Sequence, residues 1–466
     1  MDFCKFYGHD RVQNLPYRNA NPTLKAAYRG IKKYDREIIA TFTPAEENVL
    51  LDWLDREFGK SMQTAGLTDL LDTDGMDLTT SPGFPWNVSY GTKRELVDSK
   101  HWEEVKERAS NFGNLPTPRF VWTSSLKEEA RSIQKLVQHN IRQFSGAPME
   151  ALLVGRHLFL QQNEQFYEEH LTTSSAVGMS LYNGGWNRAF TKLARFDRGF
   201  ALDETEWDAS LPPSFLKLVC KLRQRWLRRS VSVDQLKHVL DWSDQFYDEV
   251  INSTYVLPGG ELIRKHIGNP SGSPNTVVDN TIALCALLML TFIRKTGGNY
   301  VDWTEQVSAL LYGDDNTFSV HEDIINKFNG LAVQEVAATL GITVKGDEQS
   351  LQPLPVQNLD FLSFGFQKHG NYVLPRYLKP EKLLASLAFR DLRGSPALKL
   401  QRALAMRELL YGTAHFDEVS RYIQQLMKKY RPIAGEDFKR VCSLWKSPQE
   451  ISRLFIPLEG DDPLKL

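Results

Sequence analysis

Val307-Ser308-Ala309-Leu310-Leu311-Tyr312-Gly313-Asp314-Asp315-Asn316-Thr317-Phe318-Ser319-Val320 is the stretch from which the rest of the chain can be read. Two short apolar runs, 307–312 and 316–320, flank a Gly-Asp pair, a turn signal that predicts an antiparallel hairpin. Asp314 and Asp315 then sit at its tip. Carboxylates about 4 Å apart repel by roughly 4 kcal/mol at an effective dielectric near 20, so such a pair is costly until a proton or a cation neutralises it. Hard Mg2+ with oxygen ligands is a natural partner. A lone Asp-Asp at a turn is more often a solvated acidic tip, because turns favour aspartate for its backbone chemistry. The surrounding residues have to decide between the two.

Upstream, Phe200-Ala201-Leu202-Asp203 reads as a strand end delivering a third carboxylate. Glu204-Thr205-Glu206-Trp207-Asp208 follows, with a helix opening near Pro213-Ser214. A strand-end aspartate by itself is more commonly a cap or a turn residue. If the strand at 196–203 lies beside the hairpin, Asp203 and Asp314 converge on a place where metals could bridge phosphates. Between these segments, Gly268-Asn269-Pro270-Ser271-Gly272-Ser273-Pro274-Asn275-Thr276-Val277-Val278-Asp279-Asn280 is a Gly/Pro-punctuated loop running into an apolar helix that continues to Ile293. Thr276 and Asn280 share a helical face at a spacing of four. Next to the acids they could hydrogen-bond a sugar hydroxyl, with Asp208 as acceptor or organiser. Equally, the segment reads as a capping loop that satisfies free amides.

In order and spacing, Asp203-x4-Asp208, Ser271-Gly272-x3-Thr276-x3-Asn280 and Tyr312-Gly313-Asp314-Asp315 resemble motifs A, B and C of the RNA-dependent RNA polymerases of positive-strand RNA viruses. Within that family the chain is most similar to the picornavirus-like group and, on overall impression, to astrovirus polymerases. The resemblance implies an α+β right-hand fold of fingers, palm and thumb, two Mg2+ ions with Mn2+ as a substitute, and templated RNA synthesis from nucleoside triphosphates. Asp203, Asp314 and Asp315 would hold the metals, and Asp208, Thr276 and Asn280 would select ribonucleotides. Ser271 and Gly272 would form a movable loop beside the template.

Further segments match in kind. Thr80-Ser81-Pro82-Gly83-Phe84-Pro85 resembles motif G, which implies template contacts by Thr80, Ser81 and Gly83. Lys127-Glu128-Glu129-Ala130-Arg131-Ser132, with Lys135 and Arg142 beyond, resembles motif F, which implies that Lys127, Arg131 and Arg142 handle the triphosphate. Cations there neutralise developing phosphate charge and fix its position. Taken alone, such a mixed Lys/Glu stretch is usually a solvated helix. Lys345 lies where motif D would supply a general acid. The family's lysine falls a few residues further on, where this chain has Asp347, Glu348 and Gln349. Phe361-Leu362-Ser363-Phe364 resembles motif E, which implies that Phe361 grips the primer end. Without that context it reads as a core strand.

The chain has 466 residues, more than one core usually supports, and is 42% hydrophobic and 24% charged. A formal net charge of -1 gives no global basic signature, so any nucleic-acid surface must be local. Cys4, Cys220, Cys285 and Cys442 lack metal-ligand spacing and read as buried thiols of a reducing compartment. The start of the chain has no apolar core of signal-peptide length, and the apolar run 282–293 is short for a bilayer, so the chain is expected to be soluble with no direct membrane anchor. Lys217, Lys221, Arg223, Arg225, Arg228 and Arg229 fall all round one helix, read as a solvated helix or a phosphate contact.

Irregular Pro/Gly loops fill the first part, an antiparallel α+β pattern the middle, and helices at 381–389, 396–411, 417–430 and 435–445 the last. The family division implied is fingers 1–195 with an N-terminal fingertip segment, palm 196–212, a fingers insertion 213–265, palm 266–375 and thumb 376–466. Expected partners are an RNA template with primer or product, nucleoside triphosphates, a protein primer and other viral replication proteins. The expected location is the host cytoplasm, in a membrane-associated replication complex reached through partners. Two rivals remain: a reverse transcriptase, which places a bulky aromatic where this chain has Asp208, and a catalytically silent RNA-binding scaffold.

Overall fold

Four antiparallel strands carry the acids. The computed structural model describes residues 3–39, 42–389, 395–431 and 435–457. In it the sheet order is Leu354–Pro355, Arg198–Asp203, Asp315–Val320, Val307–Tyr312. The expected hairpin forms with Tyr312 opposite Asp315, and the Asp203 strand pairs with its second arm, Asp203 opposite Asp315. Gly313 opens the turn at φ +66°, a conformation that a residue with a side chain adopts only under strain. Its amide donates to Thr281 Oγ1 at 2.8 Å, which ties the hairpin tip to the helix behind the sheet.

That helix, Thr276–Thr296, is apolar on every face and is therefore buried all round, from Val278 to Phe292. At 21 residues it is longer than the apolar run suggests, and by length and composition alone it would cross a bilayer. Here it is the central rod of the largest core, packed by Trp53, Phe318 and Phe328 among others. Gly297 ends it in the left-handed region, the common helix stop.

The basic helix Pro213–Ser230 keeps a solvated face, where Lys217 and Arg228 are exposed, while its other cations find partners in the fold. Lys221 pairs with Glu47, while Arg225 and Arg229 pair with Asp52 and Asp55, all three acids on the helix Pro44–Phe58. Arg223 is wholly buried against Asp279. Acids about 170 residues away in the chain neutralise three of its cations, which its own sequence could not reveal.

Lys127 to Ser132 is not a helix either. Val121–Leu126 and Gln143–Gly146 pair antiparallel, with Thr254–Val256 and Leu262–Arg264 completing that sheet, and Ala130–Ser132 pairs with Tyr17–Asn19. Phe3, Tyr7, Val12 and Leu15 enter one core with the C-terminal helices Pro380–Phe389, Pro396–Leu409, Phe416–Tyr430 and Glu436–Cys442. Phe3 meets Tyr422 edge-on at 4.9 Å, and Arg11 pairs with Glu418. The N-terminal segment thus straps the first region to the last. Positions 1–2 and 458–466, the ends of those regions, lie outside the described residues. Cys220 and Cys285 are buried as expected, whereas Cys4 and Cys442 are only partly so.

Candidate active site

Register alone brings the three aspartates together. Directly opposed residues of antiparallel strands lie about 4.5–5.5 Å apart at Cα, so Asp203 and Asp315 are neighbours, with Asp314 next along the turn. Burial holds the Asp314 carboxyl above its usual range, helped by the charges of Asp208 and Asp203. Burial likewise pushes Asp315 up to about 6, aided by Asp314 and Asp360. The amide of Leu362 donates to Asp315 Oδ1 at 3.2 Å and turns that acid towards the neighbouring strand.

Asp203, 72% exposed, already has a cation on it: Lys345 Nζ lies 2.8 Å from both carboxylate oxygens. The backbone helps, with the Lys345 amide donating to the Asp203 carbonyl at 2.9 Å. Among the described residues no three His, Cys, Asp or Glu side chains stand close enough to hold an ion as they are. The donor set nevertheless suits a hard divalent cation. It consists of carboxylate oxygens only, two of the acids are desolvated and mutually repelling, and the third is balanced by an ammonium group.

One acid escaped the sequence reading. Glu204 is 3% exposed, and burial pushes its carboxyl up to about 8, reinforced by Asp314 and Asp203. Asn316 Nδ2 donates to both its oxygens at 3.1 Å and contacts the Leu202 carbonyl at 3.3 Å. Strand alternation is the signal that could have found it, because Asp203 facing solvent forces Glu204 inward.

Cations gather on the other side. Arg142, half exposed, stands 3.7 Å from Glu129, and its charge favours ionised Asp314. Lys127 is held below the usual lysine range by burial and by Arg142. Lys135 is lowered by burial, then by Arg131 and Lys345. Arg131 is engaged otherwise: its guanidinium donates to the Asn140 carbonyl at 3.1 Å and braces its own hairpin.

The sugar-side residues are only partly as expected. Thr276 Oγ1 donates to the Pro270 and Ser273 carbonyls at 2.6 and 2.9 Å, so its hydroxyl caps the loop. Asn280 accepts from Asn269 Nδ2 at 3.0 Å, and the Asn269 amide donates to the Asp208 carbonyl at 2.7 Å. Asp208 joins neither Thr276 nor Asn280 by a side-chain bond. Its partner is Lys33 Nζ, 3.2 Å from Oδ2, from a segment that sequence reasoning passed over. The Ser271–Gly272 loop is docked rather than loose. Ser271 Oγ accepts from the Ser145 amide at 2.9 Å, and a Cβ on Gly272 would fall 2.1 Å from the Ser145 carbonyl oxygen.

Thr80 and Ser81 are exposed on a loop braced by Lys93, which donates to Thr80 Oγ1, and Gly83 rests against the Ala147 backbone. Phe361 is not available to RNA. It is fully buried and stacks on Trp186 with centroids 6.4 Å apart, because its strand alternates it into the core. The next two residues, Leu362 and Ser363, form the turn at positive φ.

A family model described as "Viral RNA-dependent RNA polymerase" matches residues 13–427. The chain belongs to the viral RNA-dependent RNA polymerases. The chain is 29% identical over 338 residues to genome polyprotein 1 of Barley mild mosaic virus (strain Na1), an alignment covering 69% of this chain and 14% of the polyprotein. It is 26% identical over 434 residues to the genome polyprotein of Lettuce mosaic virus (strain 0 / isolate French), covering 88% of this chain and 12% of that one. The polymerase chain thus spans only a small part of the polyproteins it matches. In structure it is similar to the Sicinivirus 3Dpol RNA dependent RNA polymerase, with a TM-score of 0.72 at 17% identity, over 90% of this chain and 89% of that one. That likeness bears out the α+β right-hand fold. These relatives do not single out the astrovirus resemblance.

Proposed function

We propose that this polymerase copies an RNA template into RNA from ribonucleoside triphosphates for a positive-strand RNA virus. The observation that carries this is the strand register that seats Asp203 beside Asp315 and the Asp314 turn, with Arg142 and Lys135 within electrostatic reach of Asp314 and Asp203. Asp203, Asp314 and Asp315 would hold two divalent cations, Mg2+ with Mn2+ as substitute, which would supply activation of the 3′-hydroxyl and stabilisation of phosphate charge. Lys127 and Arg142 orient the triphosphate, with Arg131 fixing their hairpin. Lys345, which pairs with Asp203, would serve as the proton donor to departing pyrophosphate. Asp208 and Asn280 read the sugar, Thr276 shapes the loop that seats it, and Ser271 with Gly272 passes template held by Thr80, Ser81 and Gly83.

In this reading the fingers, palm and thumb run as the family division has them, with the N-terminal strap reaching the thumb. Partners are template, primer or product RNA, triphosphates, a protein primer and other viral replication proteins. The work takes place in the host cytoplasm at membranes reached through those partners, which suits a chain whose long apolar helix is spent inside its core.

Purified protein with a primed RNA template, Mg2+ and ribonucleotides should extend the primer, and Asp314→Ala should bind RNA yet add nothing. Unmodified protein that binds RNA without elongating, with or without a primer, overturns the reading. Preference for deoxynucleotides would make it a reverse transcriptase instead.

A further inference from the structure

The loop carrying Asp203 and Asp208 is gripped from outside the palm by two cations on the N-terminal segment. Lys33 Nζ lies 3.2 Å from Asp208 Oδ2, with the lysine side chain 13% and the aspartate 31% exposed. One turn away, Arg36 Nη2 lies 2.5 Å from Glu206 Oε2, and Arg36 Nε donates to the Lys33 carbonyl at 2.7 Å. The lysine is itself held. It stands 5.1 Å from the Tyr34 ring, which stacks on buried Tyr255 at 6.0 Å, whose hydroxyl bonds Ser145 Oγ at 2.8 Å. Ser145 is the residue on which the Ser271–Gly272 loop docks.

The consequence lies in which oxygen remains. Lys33 is the only side chain bonded to the Asp208 carboxylate among the described residues, and it takes Oδ2. Oδ1 is left as an acceptor without a protein donor. Asp208, in the first turn of the short helix Trp207–Ser210, has two rotatable side-chain bonds, and a single charge-assisted bond from a part-buried ammonium selects among its rotamers.

We propose that Lys33 is a positioning residue for sugar recognition: it fixes the Asp208 carboxylate so that Oδ1 faces the hydroxyl of an arriving ribonucleotide. The inference rests on the polymerase reading above and extends it to a residue 175 positions away from the aspartate it serves. Lys33 touches no substrate in this role. Without it, Asp208 swings, and an acceptor aligned for a hydroxyl is lost for ribose while deoxyribose loses nothing.

The test is single-nucleotide incorporation on a primed RNA template with matched ribo- and 2′-deoxyribonucleoside triphosphates. Lys33→Met should raise KM for the ribonucleotide about tenfold, in line with loss of one bond to a charged group. It should leave kcat and the deoxyribonucleotide KM within roughly twofold, so the ribo-over-deoxy preference falls about tenfold. Lys33→Arg, which keeps the charge and reach, should restore most of that preference. In an Asp208→Asn background Lys33→Met should add no further loss, because both changes act through one group. Equal loss for both nucleotides, an unchanged preference, or additive losses overturn the inference while the polymerase reading stands. Unmodified protein that incorporates neither nucleotide overturns both.

Discussion

Replacing Asp279 with alanine should cost about 3–5 kcal/mol of stability, the usual consequence of removing one side of a buried ion pair. Arg223 and Asp279 are 0% and 1% exposed. Asp279 Oδ1 accepts from Arg223 Nε at 2.9 Å and Nη2 at 2.8 Å, and the Tyr247 hydroxyl lies 3.0 Å from both its oxygens. Alanine leaves a guanidinium in the core with only Gln162 Oε1 at 3.2 Å and Asn163 Oδ1 at 2.9 Å. Neither partner carries charge. Tyr247→Phe sets the lower bound, since it removes one hydroxyl donor while the ion pair remains, at about 1–2 kcal/mol. Combining Arg223→Met with Asp279→Leu removes both charges, and the pair should cost at least about 2 kcal/mol less than the sum of the single changes. Chemical denaturation followed by tryptophan fluorescence measures the unmodified protein and each of these variants. Asp279 lies between Thr276 and Asn280 on the helix behind the acids, and Asn163 also donates to Asn275 Oδ1 at 2.9 Å, so the same variants should loosen the sugar-side loop. A cost for Asp279→Ala under about 1 kcal/mol, or strictly additive losses, would refute the argument that this buried pair anchors the helix.

Metal-free stability should fall as pH rises. Glu204 sits at about 8 and Asp315 at about 6, both raised by burial, so the native state binds protons that the unfolded chain releases near pH 4. The stability these acids contribute is complete below about pH 4 and is lost as pH climbs to about 8, with added Mg2+ reducing the loss at the upper end. Thermal melts at pH 5 and pH 8 in a chelator check it, and a rise in melting temperature over that span would count against it. Lys345→Met should tighten Mn2+ binding, measured by calorimetry, by no more than about fivefold, because ion pairs as exposed as Lys345–Asp203 contribute at most about 1 kcal/mol. Weaker binding would mean that the lysine does not compete with metal for Asp203.

Much of this was legible along the chain, because it rests on local chemistry. A Gly-Asp turn between two apolar runs makes a hairpin wherever it occurs, and an all-apolar helix has to be buried. The order of acid strand, loop-helix and acid hairpin then placed Asp203, Asp314 and Asp315 at one end of the sheet, as the register bears out. Phe361 shows the limit of carrying a segment over whole. Its hairpin exists, but alternation along the strand sends its ring to Trp186 and leaves Leu362 to meet Asp315.

What tertiary structure alone decided is the pairing of charge over long separations. Arg223 looks like any cation of a basic helix until Asp279 is set against it, and Lys33 resembles a surface lysine until the N-terminal segment lays it on Asp208. Glu204 follows Asp203 by one residue, yet becomes an acid raised to about 8 because the packed sheet buries it beside Asp314 and Asp203, against the opposing bond from Asn316. Propensity and periodicity act over a few residues and are written in the chain's own order. The environment that fixes a carboxylate's charge or a cation's partner comes from residues more than fifty positions away, as for Arg223 and Asp279, or well over a hundred, as for Lys33 and Asp208, and exists only once folding has brought them together.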